Sequence, residues 1–406
     1  MTSLQSAPPR HLHRTPALRI AVLGTHGVPA AAGGLEPAVE EIGRRLVRRG
    51  HDVTVYGRPT GAAPVKEHLG MRCVTLPAGG PLSATALAAA HLSAGRRFDV
   101  AFVMGAEHAP LIPLIRSRGT AVAVHVTGPE WHRERWGRLG RRWSRAAEQV
   151  AVREADALIA DAQSAQDYYD DEFGIPTERI GWGARILAHS PTDLLEAMGL
   201  VPGAFHLAVA RFEPEDHVDV LVEGYRRSAA QLPLVVVGGA DRPTGYEAEI
   251  RALAEGDPRI RLLGRVDDQR LLDQLYSHAA SYLHGHSVGG TSPSLLRAMG
   301  AGTAIVAWNA VVNREVAGTG GSYFASVQDL ARAVEEVERY PFRFRDLGEL
   351  MQERARKRFD WDVVGEQYEA LAAKLARGYS TRGMRSGRRL ESTWTTTPVA
   401  VEVPRG

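Results

Sequence analysis

Cysteine is almost absent from this chain of 406 residues, where Cys73 is the single example. One thiol excludes an internal disulfide and a cysteine metal cluster, and it suits a reducing cytoplasm. Lysine is nearly as scarce: only Lys66, Lys357 and Lys374 occur, so arginine carries the positive charge. An excess of one charge sign is also missing. Forty-nine basic residues oppose 47 acidic ones, and a formal charge of +2 leaves no general electrostatic footprint for nucleic acid. No uninterrupted run of about 18 apolar residues exists, which argues against a spanning helix. The segment Met1–Ala17 holds Pro8, Pro9, Arg10, His11, His13 and Arg14 with no apolar core, unlike a secretory signal.

What is present is ordinary for a globular protein: 44% hydrophobic and 24% charged residues. At about 150 residues per domain the length predicts two or three domains. Short apolar strands alternate with amphipathic helices, the pattern of a parallel sheet covered on both faces. The first half opens with the strand Arg19–Gly24, a Gly-rich loop and a helix over Glu36–Arg49, whose Val39, Ile42 and Leu46 share one apolar face. Further strands are expected at 52–56, 72–76, 99–104, 121–126 and 157–160. The pattern then restarts, with strands at 206–210, 234–237, 260–263, 281–283 and 304–307.

This predicts an α/β fold of two tandem doubly wound domains facing across a cleft. The expected division is a disordered tail over 1–17, a first domain over 18–190 and a linker over 191–205. A second domain follows over 206–340, then helices over 341–377 that pack back toward the first domain, and a disordered tail over 378–406. Ligands of such folds bind at the carboxyl ends of the strands, so the cleft is where a small-molecule substrate belongs.

Two glycine-rich loops carry the candidate chemistry. The first reads Gly24-Thr25-His26-Gly27-Val28-Pro29 and continues to Gly33-Gly34-Leu35-Glu36. It lacks the third glycine of the dinucleotide fingerprint, and the second strand ends in Tyr56-Gly57-Arg58 without a ribose-binding acid. Gly33 and Gly34 precede a helix, where free amides approach an anion unobstructed; the alternative is a plain connection. The second reads His284-Gly285-His286-Ser287-Val288-Gly289-Gly290-Thr291-Ser292-Pro293. Pro293 suits the first position of a helix and Ser292 its cap. Unpaired N–H groups at that helix start then make a ready phosphate or sugar-hydroxyl site; the alternative is a purely structural cap, which leaves the two extra glycines unexplained. Arg211, at the end of the first strand of the second half, is placed to grip a diphosphate in bidentate fashion. His284 and His286 have strand spacing, but no third ligand accompanies them, and no metal site is expected.

These segments, with Glu130-Trp131, Ile159-Ala160-Asp161, Ala210–Glu215 and Asn313–Val316, resemble family 4 glycosyltransferases of GT-B architecture. The likeness is closest to the bacterial rhamnosyltransferase-like subgroup and covers roughly residues 18–375. The resemblance implies two Rossmann-like domains and transfer of a sugar, rhamnose among the candidates, from a nucleotide-sugar donor with retention. No cofactor or metal is needed. A saccharide or lipid-linked saccharide is the implied acceptor, in surface polysaccharide synthesis. Arg211, His286, Gly289, Gly290, Thr291, Ser292 and Arg297 would hold the donor. Gly33, Gly34, Glu36, Glu130 and Trp131 would line the acceptor side.

The chain departs from the family at three positions. Asp216 stands where the family has a lysine, and is read here either as a lost positive charge or as a helix cap. Arg297 replaces a ribose-holding glutamate and is a candidate for replacing that charge at the phosphate. Thr127 replaces an acid or histidine, and His125 on the same strand face is a candidate for part of that catalytic role. Either the specificity is retuned, or the protein is a degenerate relative that binds a sugar nucleotide or a protein partner without turnover.

From Trp131 to Arg153, seven arginines interleave with Trp131, Trp136 and Trp143, against only Glu134 and Glu148. Such a segment suits a peripheral membrane surface carrying anionic lipid. The alternative is a buried tryptophan face with a solvated arginine face.

Overall fold

The computed structural model describes residues 16–30, 35–59, 64–132, 137–240 and 244–382. Two sheets form two lobes. In the first lobe the strands are β1 (Arg19–Leu23), β2 (Asp52–Gly57), β3 (Glu67–His68), β4 (Met71–Thr75), β5 (Val100–Met104), β6 (Ala121–Val126), β7 (Ala157–Ala160) and β8 (Glu178–Arg179). They run in the order β3-β4-β2-β1-β5-β6-β7-β8, and all pairs are parallel except β3 with β4. In the second lobe they are β9 (His206–Arg211), β10 (Leu234–Gly239), β11 (Ile260–Gly264), β12 (Ser281–His284), β13 (Ile305–Trp308) and β14 (Ser322–Phe324). Their order is β11-β10-β9-β12-β13-β14, and every pair is parallel.

This is the doubly wound α/β pair the apolar runs imply. Every residue of β5 and of β7 is buried, because helices cover both faces of a parallel sheet. In each sheet the strand order reverses beside the first strand, β1 or β9. The loops after β1 and β5, and after β9 and β12, therefore diverge at the carboxyl edges and open the crevices where ligands enter.

The strands β3, β8 and β14 were not anticipated. Each is two or three residues long at or near a sheet edge, too short for an apolar period to show. The stretch expected as a linker contains a helix, Asp193–Ala197, with Leu195, Leu200 and Phe205 buried. The amide side chain of Gln274 anchors it by accepting from the Leu194 amide at 3.0 Å and donating to Asp193 at 2.8 Å. Its prolines and glycines mark the turns around that helix. The start of the expected C-terminal tail is likewise fixed. Ser380 donates to the Asp156 carboxylate at 2.9 Å, and the Thr381 amide donates to the Asp156 carbonyl at 2.8 Å. The rest of both expected tails, 1–15 and 383–406, lies outside the described residues.

The helices expected over 341–377 are Pro341–Arg358 and Trp361–Ala376. The break is built by Asp360, whose side chain caps the second helix by accepting from the Asp362 amide at 2.7 Å. At the break the chain crosses to the first lobe. The Ala184 amide donates to the Phe359 carbonyl at 2.7 Å, and Gly183 lies under the indole of Trp361. Beyond it the last helix lies along the helix Glu36–Arg48. Arg45 meets Asp362 at 2.6 Å, Arg49 meets Glu366 at 3.0 Å, and the Tyr368 ring stands edge-on to Phe102 at 5.0 Å.

A methyl group on Gly183 would sit 2.3 Å from the Trp361 ring. Gly183→Ala is therefore expected to lower stability by about 1–3 kcal/mol through overpacking at the crossing, measured by urea unfolding against the parent.

Candidate active site

The second-lobe wall is built where β9 and β12 end. Arg211 closes β9 with its guanidinium about half exposed, 3.3 Å from a Glu213 carboxylate oxygen and 3.6 Å from Asp216. Asp216 is not a helix cap. The helix Val218–Arg227 has His217 at its cap position with no side-chain cap bond, and the Asp216 carboxylate turns instead to Nδ1 of His286 at 2.5 Å. Burial alone would raise that carboxyl. The His286 hydrogen bond and the Arg211 guanidinium outweigh it and hold Asp216 below its ordinary value. The acid in place of a lysine thus fixes Arg211 and His286 on one anchor.

The glycine turn rests on that anchor. A Cβ on Gly285 would fall 2.0 Å from the Asp216 carbonyl oxygen, so only glycine fits there. The Ser287 hydroxyl and amide both donate to the Glu215 carbonyl, at 3.0 and 2.9 Å. His217, at φ 46°, stacks on Trp308 with ring centroids 3.9 Å apart and meets the Ser287 hydroxyl at 3.0 Å. Asn313 donates to the His286 carbonyl at 2.7 Å. His284 is buried, and burial pushes its imidazole down to about 3. It is a neutral core residue, while His286 faces Asp216.

Three donor-side expectations change. Pro293 does start the helix Pro293–Ala301 with Ser292 at the cap position, but the Ser292 hydroxyl meets Ser294 at 3.0 Å and caps no amide. The Thr291 amide is not left for a phosphate, because it donates to Oδ2 of Asp161, in the first lobe, at 2.9 Å. Arg297 does not replace the charge lost at 216. Its guanidinium is held by Asp273 at 2.6 Å and Gln269 at 2.9 Å, over the ring of Tyr276, so a nearer carboxylate neutralises it. Gly289, with φ 108°, keeps the left-handed backbone that glycine permits.

On the first lobe, Glu36 is buried, and its Oε1 accepts from the Thr25 hydroxyl at 3.2 Å and the His26 amide at 3.0 Å. It fastens the first glycine loop from below. Gly33 and Gly34 lie outside the described residues. Gly27 packs directly on Gly57, where a Cβ would be 2.5 Å from the Gly27 Cα, which explains the glycine that ends β2. Thr127 is half-buried and donates to the Glu130 carboxylate at 2.5 Å. His125 does not serve as a neutral-pH acid or base. It is wholly buried behind Trp182, ring centroids 4.4 Å apart, and burial pushes it down to about 3.

Trp131 is half-buried beneath the Arg145 guanidinium, which lies 5.2 Å from the ring centre. Arg145 belongs to the helix Arg138–Glu154, whose buried side holds Ser144, Ala147, Glu148 and Ala151. Burial raises Glu148 to about 7 despite hydrogen bonds from Tyr169, Tyr168 and Trp131. The opposite side exposes Leu139 and Trp143 among arginines. The tryptophans therefore divide, Trp131 toward the protein and Trp143 toward solvent. Trp136 lies outside the described residues.

Comparison with known proteins places this arrangement. The family described as glycosyl transferase 4-like domain matches residues 33–181, and that described as glycosyl transferases group 1 matches residues 205–339, together most of the chain. The chain belongs to glycosyltransferase family 4. A D-inositol 3-phosphate glycosyltransferase of Xylanimonas cellulosilytica is 28% identical over 308 residues, 63% of this chain and 72% of that protein. Sucrose-phosphate synthase of Thermosynechococcus elongatus shares the GT-B fold with a TM-score of 0.75 at 20% identity, over 88% of this chain and 99% of its own. HepE of Anabaena, solved with UDP-glucose, matches with a TM-score of 0.71 at 18% identity, over 88% and 100%.

In this transferase, sequence reasoning missed three residues at the lobe interface: Asp161, Trp182 and Glu315. Trp182 donates to Asp161 at 3.0 Å. Glu315, on the second lobe, accepts from the Gln163 and Ser164 amides of the first, at 2.8 and 3.3 Å. Asp161 and Glu315 had appeared only inside matching segments, and nothing in a single sequence says which lobe a carboxylate will reach.

His125 and His284, neutral when folded, take up protons when the transferase unfolds below about pH 6.5. Their stabilising contribution is complete above that value and is lost as pH falls toward 3. The expected slope is about 1.4 kcal/mol per pH unit for each ring. Urea unfolding at successive pH values should show it, and H125Q/H284Q should flatten the acid limb.

Proposed function

We propose that this family 4 transferase moves a hexose, with retention, from a nucleoside-diphosphate donor to a saccharide acceptor held at a membrane surface. The observation that carries the reading is the Arg211–Asp216–His286 cluster beside the glycine turn, across the cleft from Glu130 and Trp131. A leaving diphosphate builds negative charge. A fixed guanidinium, an imidazole and free amides oppose that charge without reorganising as it develops.

Two donors rank first. UDP-glucose follows from the solved complex of HepE, which shares the fold. A dTDP-deoxyhexose such as dTDP-rhamnose follows from the subgroup likeness of the glycine turn. Surface polysaccharide synthesis is the matching role, and a lipid-linked saccharide is the matching acceptor. The exposed Leu139 and Trp143 with Arg138, Arg142 and Arg153 on one helix side suit the headgroup layer of an anionic membrane. Among the described residues no helix is long and apolar enough to cross a membrane, so this contact is peripheral.

Calorimetry with UDP-, GDP- and dTDP-hexoses should give binding for one of them, and Arg211→Ala should weaken it by about 1.5–3 kcal/mol. No heat with any donor would overturn the reading. Liposome flotation should rise with anionic lipid content and fall in W143A/R142A. Flotation indifferent to lipid charge would remove the membrane part.

A further inference from the structure

Asp161 directly follows β7 in the first lobe, with only 5% of its surface exposed. One carboxylate oxygen, Oδ2, accepts two hydrogen bonds, from the Thr291 amide at 2.9 Å and from the Trp182 indole at 3.0 Å. The other, Oδ1, is buried with no partner. The Thr291 hydroxyl also reaches the Asp161 carbonyl at 3.4 Å. Gly290 is shaped for this contact: a Cβ there would lie 2.2 Å from both carboxylate oxygens. The grip is reciprocal, since Glu315 of the second lobe holds amides of the first.

We propose that Asp161 is a positioning residue for sugar transfer: it crosses from the first lobe to seize the Thr291 amide and sets the glycine turn when the lobes close. The inference rests on reading that turn as the donor site. A carboxylate on Thr291 removes one amide from the phosphate site and directs the donor to those that remain, beside Gly289 and Gly290. It also makes the shape of the turn depend on the opposite lobe, so the donor meets its final geometry only in the closed molecule. Gating of this kind links closure to completion of the site.

The titratable groups facing Asp161 are Glu130 of its own lobe and Tyr368 of the last helix, with neutral His125 behind Trp182. Burial raises the carboxyl to about 7, against the hydrogen bonds from Thr291 and Trp182. Closure therefore takes up a proton that the solvated carboxyl of an open molecule does not hold. The grip is complete below about pH 4, weakens as pH rises from there to about 7, and is at its weakest above that value. Asparagine at this position keeps both accepted bonds through its own oxygen and does not titrate.

Hydrogen exchange on the full chain, without donor, tests the contact directly. In Asp161→Ala, amides of the segment 286–292 and of 162–164 should exchange about tenfold faster, the loss of one buried hydrogen bond. With an active donor, kcat should fall about tenfold or more while KM for the donor changes little, as expected for misplaced reacting groups. Asp161→Asn should exchange like the parent and lose the decline in kcat that the parent shows as pH rises from about 4 to about 7. Unchanged exchange and kcat in the alanine variant, or the same decline between about pH 4 and 7 in the asparagine variant, would overturn the proposal. If the alanine variant does not fold, the asparagine pH profile decides alone. Loosened exchange in a protein that binds no sugar nucleotide would sink the transferase reading and leave the lobe contact standing.

Discussion

In the closed arrangement a backbone amide of the second lobe lies against a carboxylate of the first, and the cleft is organised around that meeting. The Thr291 amide sits at the mouth of a helix, with no carbonyl of its own turn to satisfy it. Asp161 answers it from across the interface, behind the indole of Trp182 and over a glycine with no side chain to intervene. Glu315 answers the corresponding need at the start of the helix Gln163–Phe173. Each lobe thus completes the other's helix end. The apolar core repeats the theme, because one buried cluster runs from Ile20 and Phe102 through Trp182 and Leu195 to Leu207 and Tyr282.

Charge in the cleft is arranged by the same economy. Asp216 at first looks hostile to a diphosphate, yet it is the anchor on which Arg211 and His286 converge. Arg297 looks helpful but is neutralised by Asp273, which also meets Arg185 at 3.0 Å. The net effect is a wall with fewer free cations than its arginine count implies. On the proposed function, orientation more than accumulated charge stabilises the leaving diphosphate there.

Much of the fold was legible because it is written in apolar runs. β5 and β7 show it plainly, as continuous apolar stretches that only a doubly covered sheet can use. The second glycine turn was legible for a related reason: Ser292-Pro293 is local helix-start chemistry, and the helix begins there. Partners were not legible. The Asp216 carboxylate, the Arg297 guanidinium and the Thr291 amide each found their counterpart on a segment distant in sequence, or on the other lobe. His125 failed as a catalytic candidate because strand alternation tells which face a ring shares, not that Trp182 will close over it. The position of the helix break, at Phe359–Asp360, was not legible because nothing there is glycine or proline. It is fixed by the crossing itself and by a capping aspartate in an otherwise charged helical stretch.

The last helix, Trp361–Ala376, belongs to the first lobe although the whole second lobe precedes it in the chain. Tyr368, Leu371 and Leu375 cover apolar surface beside Phe102, which the ribosome releases long before they are made. During synthesis the first lobe must wait with that face uncovered while its neighbour emerges and folds. The first lobe is thus held incomplete until that helix emerges, and until then it offers chaperones a greasy surface.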